Sequence, residues 1–272
     1  MIVSSDVQSY GLQRVVTALE ERPHPDDNIK VLHVNGRCDK FMRMARRWRD
    51  RGGEYVVAQY VIKSSLRPDV ADWLPLWNDA KLVWSYYDLP EMCRREGHDP
   101  TFNFYHSPLG ISSAFRTLEP YTEKRYKVVT HGDYLTQSTR ECVLATNLLC
   151  AHLGEPFAAN NVDFWVDIAD EEVSWVYDAA EYVSGLRRTE GFELPAAVGL
   201  ACGARPILFD RDHYTRWYED KAVYISEGSR DEVLEQLRDV FSRRPHVSDA
   251  EVQWARDRFN WDSIIEGLYE RL

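Results

Sequence analysis

Arg188-Thr189-Glu190-Gly191-Phe192-Glu193-Leu194-Pro195, continued through Ala201-Cys202-Gly203-Ala204-Arg205-Pro206-Ile207-Leu208-Phe209, carries more structural information than any other part of the chain. It reads as a carboxylate on a glycine-containing loop, a short helix, a glycine stop and a buried strand. Pro195 suits the first helical turn, where its missing N–H has no partner to lose, and Gly203 suits a left-handed residue after the last turn. The amides of Phe192, Glu193 and Leu194 then point out of the helix start, where the positive end of the dipole favours an anion. A diphosphate fits there, and Glu190 is placed to grip hydroxyls beside it. Together these features predict a site for a nucleotide sugar.

Outward from this stretch, strands and helices alternate. Met1–Ser5 reads as a short apolar strand and Leu12–Glu21 as a helix. Ile29–Val34 and Tyr55–Ile62 read as buried strands with a helix Lys40–Arg51 between them. Lys81–Tyr87 and Phe102–Tyr105 complete a first set, around a helical Pro90–Glu96. A second set begins at Lys127–Thr130 and continues through a helix Arg140–Leu153, a strand near Phe157–Ala159, a helix Glu171–Ala180 and a strand Tyr182–Leu186. Strands Pro206–Phe209 and Ala222–Ile225 and a helix Asp231–Ser242 follow the signature. This alternation predicts an α/β protein with parallel sheets covered on both faces, in two Rossmann-like halves with a cleft between them. The expected divisions are 1–120, 121–255 and a C-terminal helix in 256–272 that crosses back to the first half.

The chain has 272 residues, 44% of them hydrophobic, enough for two modest cores. Its five cysteines are far apart and form no C-x-x-C, which points to buried thiols in a reducing compartment rather than a disulfide frame or a zinc site. The absence of a membrane-length apolar run and of a signal-peptide pattern predicts a cytoplasmic protein. A net charge of −11 means that attraction to nucleic acid must come from a local basic region. Arg37–Arg51 supplies one. On a helix, Phe41, Met44, Ala45 and Trp48 pack inward while Lys40, Arg43, Arg47 and Arg51 form an outer stripe suited to phosphates. Asp210-Arg211-Asp212 resembles a metal-binding D-x-D but reads as solvated turn residues, and no metal ligand set is expected. His33, His106 and His131 stand at or near strand ends, where a histidine could orient a substrate or take its proton. Asn35 and Tyr60 end neighbouring strands of the first half.

The second half resembles the C-terminal domain of retaining glycosyltransferases of the GT-B fold, the group 1 or family 4-like enzymes that include glycogen-synthase-like and mannosyltransferase-like members. Gly132 ends the first strand of this half, where the family has its glycine. Val162-Asp163-Phe164-Trp165-Val166 with Asp170-Glu171-Glu172-Val173 is similar to the segment that holds the nucleobase. Glu190-Gly191-Phe192-Glu193-Leu194-Pro195 looks like the donor-sugar loop, and Arg258-Phe259-Asn260-Trp261 like the start of the closing helix. In the first half, Tyr10-Gly11-Leu12-Gln13-Arg14 is similar to the glycine loop that faces the diphosphate. Pro108-Leu109-Gly110 resembles the turn that closes the N-terminal domain, which reads as shortened by a strand-helix pair. Val198 stands where the family has a second glutamate, Gly132 lacks a following arginine, and Ser138 replaces a common lysine.

The resemblance implies a hexosyl- or pentosyltransferase that retains configuration and requires no cofactor beyond its nucleotide-sugar donor. Glu190 would hold donor-sugar hydroxyls, with His106 and His131 as further catalytic candidates. Gly11, Gly132, Trp165, Gly191, Phe192, Glu193 and Leu194 would bind the donor, with Arg140 and Arg187 or Arg188 on the diphosphate. Asn35, Tyr60, Arg43 and Arg47 would form the acceptor side. The compact size and the donor-loop wording resemble small bacteriophage glycosyltransferases, so a hydroxymethylated base in phage DNA is the first expected acceptor. A lipid-linked or polysaccharide acceptor is the rival reading, and a non-catalytic nucleotide-sugar binder on the same fold belongs to a different class. Nothing in the sequence sets the oligomeric state.

Overall fold

A computed structural model describes residues 10–26, 28–34, 38–60, 70–117, 124–131, 157–160, 169–186, 191–243 and 245–272. The chain divides into two units, one of Met1–Leu109 with Trp261–Leu272 and one of Gly110–Asn260.

In the first unit, strands β1 (Ile29–Val34), β2 (Glu54–Gln59), β3 (Leu82–Ser85) and β4 (Phe104–His106) lie in that order, all parallel. The register sets Val31 against Val56 and Val57 against Val83. Apolar runs such as Ile29-Lys30-Val31-Leu32-His33-Val34 suit this arrangement, because both faces of a parallel strand are covered. Helices α1 (Tyr10–Glu21), α2 (Cys38–Arg49), α3 (Val70–Asp79) and α4 (Leu89–Arg95) alternate with the strands. Phe41 and Ala45 of α2 pack with Trp73, Leu76 and Trp77 of α3 over Leu32, Val34 and Val57.

The sequence reading missed α3, because Pro75 lies inside it. Proline removes a helical hydrogen bond at a cost of about 3 kcal/mol. Trp73, Leu76 and Trp77 are fully buried at helical spacing, and each contributes roughly 1.5–3 kcal/mol, which outweighs that cost. Gly11 also differs from expectation. It lies in the first turn of α1 rather than in a loop before it, since the helix starts two residues earlier than its apolar periodicity suggested. The expected strand Met1–Ser5 and the helix Arg140–Leu153 lie outside the described residues.

The C-terminal helix α10 (Trp261–Tyr269) belongs to the first unit. Trp261 meets Trp84 edge to face at 6.5 Å, and the Tyr105 hydroxyl donates to the Ile264 carbonyl at 3.1 Å. That approach requires Gly267, where a Cβ would stand 2.6 Å from the Tyr105 oxygen.

The second unit is a five-stranded parallel sheet in the order β6-β5-β7-β8-β9. Its strands are β5 (Tyr126–His131), β6 (Phe157–Asn160), β7 (Ala180–Ser184), β8 (Arg205–Phe209) and β9 (Val223–Ile225). The helices are α5 (Asp170–Asp178), α6 (Leu194–Ala201), α7 (Asp212–Tyr218), α8 (Arg230–Arg243) and α9 (Asp249–Arg258). Val233, Leu237, Val240 and Phe241 of α8 pack on Val128, Tyr182, Ile207 and Phe209. The edge strand β9 is blunted just past its end, where the Gln236 side chain accepts from the Ser226 amide at 2.7 Å and donates to its carbonyl at 3.0 Å. Such pairing withholds these backbone groups from another chain.

Buried ion pairs cross this unit. Lys127 on β5 meets Glu181 on β7 at 2.8 Å. Arg205 forms a fork with Glu251 at 2.7 and 3.0 Å, and Glu251 also closes a capping box with Ser248 at the start of α9. Burial alone would raise the Glu251 carboxyl, but the hydrogen bonds from Arg205 and Ser248 outweigh it and hold the group down at about 2.

Candidate donor site

In the second sheet, β6 lies on one side of β5 and β7 on the other, so the chain reverses direction of winding at the β5–β7 pair. Ligands of open parallel sheets bind outside the carboxyl ends of the strands at such a reversal. Gly191–Glu193 follow β7 in the chain and open α6, and the Glu193 side chain lies against Gly185, just past the end of β7.

Gly191, Phe192 and Glu193 are buried and precede the first turn of α6, with Pro195 in that turn. Two side chains of α7 hold the turn by its carbonyls. The Trp217 indole donates to the Gly191 oxygen at 3.1 Å, and the Tyr218 hydroxyl donates to the Glu193 oxygen. Phe192 stacks on Tyr218 with ring centroids 5.8 Å apart and packs against Trp217 and Phe259. The Gly191 and Glu193 carbonyls are thus bound on the protein side, Glu193 also accepting from the Ala196 amide at 2.9 Å, while the Leu194 amide at the start of α6 has no acceptor within the helix. The Glu193 carboxylate turns back over the end of β7. It is 0% exposed and lies so close to Gly185 that a Cβ there would stand 2.5 Å from the Glu193 Cγ.

The rest of α6 is fixed with equal firmness. Gly199 lets it settle on β7, since a Cβ at that position would meet Val183 at 2.4 Å. At its end Gly203 takes φ +81°, as the sequence reading expected, and donates to the Leu200 carbonyl while Ala204 donates to that of Gly199. Arg256 and Lys124 add charged donors to the Ala201 and Cys202 carbonyls at 3.1 and 3.4 Å, complementing the negative end of the helix. Burial pushes the Cys202 thiol up to about 12, so it is an inert packing group.

The described residues therefore bring Gly191, Phe192, Glu193 and Leu194 together, with His131 ending the adjoining β5. Glu190, Gly132, Arg140, Trp165, Arg187, Arg188 and Asn35 lie outside the described residues. In the first unit, His106 ends β4. Its ring stacks on Phe104 at 5.5 Å, and its Nε2 lies 3.3 Å from the Tyr86 carbonyl. Tyr60 is 3% exposed, with its hydroxyl 3.0 Å from His33 Nδ1. Arg43 and Arg47 are exposed on α2, and Arg43 is paired with Asp39 at 2.9 Å. Asp210 and Asp212 are exposed, and Asp212 opens α7 rather than lying in a turn. Among the described residues no group of histidine, cysteine or acidic side chains is placed to hold a metal ion, and no helix is long and apolar enough to cross a membrane.

Trp217, Tyr218 and Phe259 were not foreseen at the site. The spacing of Tyr214, Trp217 and Tyr218 is helical, but the charged Asp210-Arg211-Asp212 before it reads as loop and hides the helix.

No known family profile and no curated protein matches this sequence. Solved structures do match its fold, which is GT-B. Sucrose-phosphate synthase from Thermosynechococcus elongatus is similar over 96% of this chain and 77% of its own, with a TM-score of 0.66 at 14% identity. Anabaena HepE in complex with UDP-glucose matches 95% of this chain and 80% of its own, with a TM-score of 0.66 at 14% identity. The pneumococcal O-GlcNAc transferase GtfA in complex with UDP and GlcNAc matches 96% of this chain and 60% of its own, with a TM-score of 0.57 at 14% identity.

Proposed function

We propose that this protein is a glycosyltransferase that moves a sugar from a nucleotide-diphosphate donor to an acceptor hydroxyl with retention of configuration. The observation that carries this reading is the Gly191–Leu194 turn, its carbonyls fixed by Trp217 and Tyr218 and its helix start set at the sheet's reversal point. Charge builds on the diphosphate oxygens as the glycosidic bond breaks. Preorganised amides at a helix start meet that charge without reorganising. Arg140 and Arg187 or Arg188 add the guanidinium charge, and Glu190 holds the sugar hydroxyls. The sugar-nucleotide complex of HepE supports a donor of this class. His106 and His131, at the carboxyl ends of their strands, are candidates to orient the acceptor.

For the acceptor we take a polyanion first. The exposed Arg43, Arg46, Arg47 and Arg51 are a local basic face in a chain of net charge −11, and such a face binds phosphates by releasing counterions. A hydroxymethylated base in DNA fits, because it joins a phosphate backbone to a free hydroxyl. The test is a mass-shift assay of nucleotide sugars against hydroxymethylated DNA and glycan acceptors. Transfer is expected with the wild type and is abolished in Glu190→Ala, with the melting temperature retained. Normal turnover in Glu190→Ala would overturn the site assignment.

A further inference from the structure

The carboxyl ends of the four strands of the first unit are joined by a line of hydrogen bonds. His33 Nδ1, on β1, lies 3.0 Å from the hydroxyl of Tyr60, the residue after β2. The Tyr60 carbonyl accepts from the hydroxyl of Tyr86, the residue after β3, at 2.7 Å. The Tyr86 carbonyl in turn lies 3.3 Å from His106 Nε2 at the end of β4. Ser85 reinforces the same row through its hydroxyl, which donates to the Gln59 carbonyl at 2.8 Å.

One end of this row is incomplete. His33 is 0% exposed, and its Nε2 has no hydrogen-bond partner among the described residues. The ring is held on its other side, stacked on Tyr60 with centroids 5.8 Å apart. A buried polar atom left without a partner costs about 1–3 kcal/mol, so a fold that keeps one calls for an explanation. Valine or leucine of similar size would fill this position in a strand without the penalty. Burial holds the ring's affinity for protons well below the ordinary histidine value, to about 4, so it is neutral near pH 7 and can exchange a single hydrogen bond without carrying charge. The last ladder bond between β1 and β2 runs from the Tyr60 amide to the Val34 carbonyl. The imidazole therefore lies where strand pairing ends, on the edge at which parallel sheets meet their ligands.

We propose that His33 is an acceptor-positioning residue, held by Tyr60 so that Nε2 makes a hydrogen bond to a hydroxyl of the acceptor at the carboxyl edge of the first sheet. This rests on the glycosyltransferase reading above and adds the acceptor contact to it. The Tyr60 hydroxyl, buried and committed to Nδ1, fixes the ring plane. It is a support for His33 rather than a contact of its own.

His33→Asn and His33→Gln separate the two nitrogens, because the asparagine amide overlays Nδ1 and the glutamine amide overlays Nε2. Melting temperature, donor hydrolysis without acceptor, and the donor and acceptor KM values are measured for the wild type and both variants. For His33→Asn the expected result is donor hydrolysis and donor KM within twofold of the wild type, and acceptor kcat/KM lower by about tenfold, the loss of one neutral hydrogen bond. His33→Gln is expected to recover part of that loss although it gives up the Tyr60 bond. Wild-type acceptor kinetics in His33→Asn would overturn the proposal. So would a parallel fall of donor and acceptor parameters with the melting temperature, which is what a purely structural histidine produces. A wild type that neither hydrolyses nor transfers any donor would instead remove the glycosyltransferase reading, and this inference with it.

Discussion

Gly203 decides how α6 ends. At φ +81° a side chain is strained, and a Cβ there would also meet Thr117 Oγ1 at 3.3 Å. Gly203→Ala is expected to lower the unfolding free energy by about 1–2 kcal/mol, read from the urea midpoint at unchanged slope. An unshifted midpoint would show that α6 does not depend on this end. The role of Gly203 was legible in the sequence because only one residue type takes a left-handed turn cheaply, and Pro195 marks the opposite end by the same kind of backbone rule. Glu193 was legible only in part. Its place in the loop follows from the spacing, but the return of its carboxylate over Gly185 depends on where β7 ends. His33 shows the same limit: the strand is plain in Ile29–Val34, whereas the open nitrogen exists only once Tyr60 has arrived from the next strand.

Among the elements, α6 and α2 were readable and α3 and α7 were not. The first two carry strong local signals, a proline–glycine frame and an amphipathic stripe. Pro75 and the charges at Asp210-Arg211-Asp212 are breakers, and local rules weigh them more heavily than the burial of Trp73, Trp77, Trp217 and Tyr218 that overrides them. That override is tertiary, so it cannot be seen before the chain is folded. The loss matters most for α7, because Trp217 and Tyr218 are what fix the carbonyls of Gly191 and Glu193. On α2, Phe41 and Ala45 are buried, while Arg43, Arg46 and Arg47 are exposed. Arg43→Glu with Arg47→Glu is expected to weaken DNA binding about uniformly across sequences and to reduce the slope of log affinity against log salt by roughly 2, one for each lost phosphate contact. Fluorescence anisotropy over a salt series checks this. An unchanged slope would make the stripe an ordinary solvated surface.

For the whole molecule, the two parallel sheets were legible from the alternation of apolar strands and amphipathic helices. The direction of winding in each was not, since the strand order depends on which edge each new strand joins. Acid stability is also a property of the whole. His33 is held at about 4 and Glu251 at about 2, both below their ordinary values. In each case the unfolded chain binds protons more readily, so stability rises with pH through the window between the two values. The Glu251 contribution is complete above its ordinary value of 4.5 and is lost as pH falls through 2. The His33 contribution is complete above 6.5 and fades toward 4, where its loss is on the order of 3 kcal/mol. Melting curves between pH 7 and pH 4 are therefore expected to fall more steeply for the wild type than for His33→Asn. Parallel curves would contradict the buried neutral ring.

In the proposed function, main-chain amides at the opening of α6 bind the pyrophosphate of the donor. Proline at position 194 deletes one of these N–H groups at a helix position that tolerates it, whereas alanine keeps the N–H and removes only the side chain. Calorimetric titration of the wild type, Leu194→Pro and Leu194→Ala with UDP-, GDP- and ADP-sugars tests the claim directly. Affinity about tenfold weaker in Leu194→Pro, the loss of one charge-assisted hydrogen bond, with Leu194→Ala close to the wild type, is the predicted result. Equal affinities in all three proteins would contradict it.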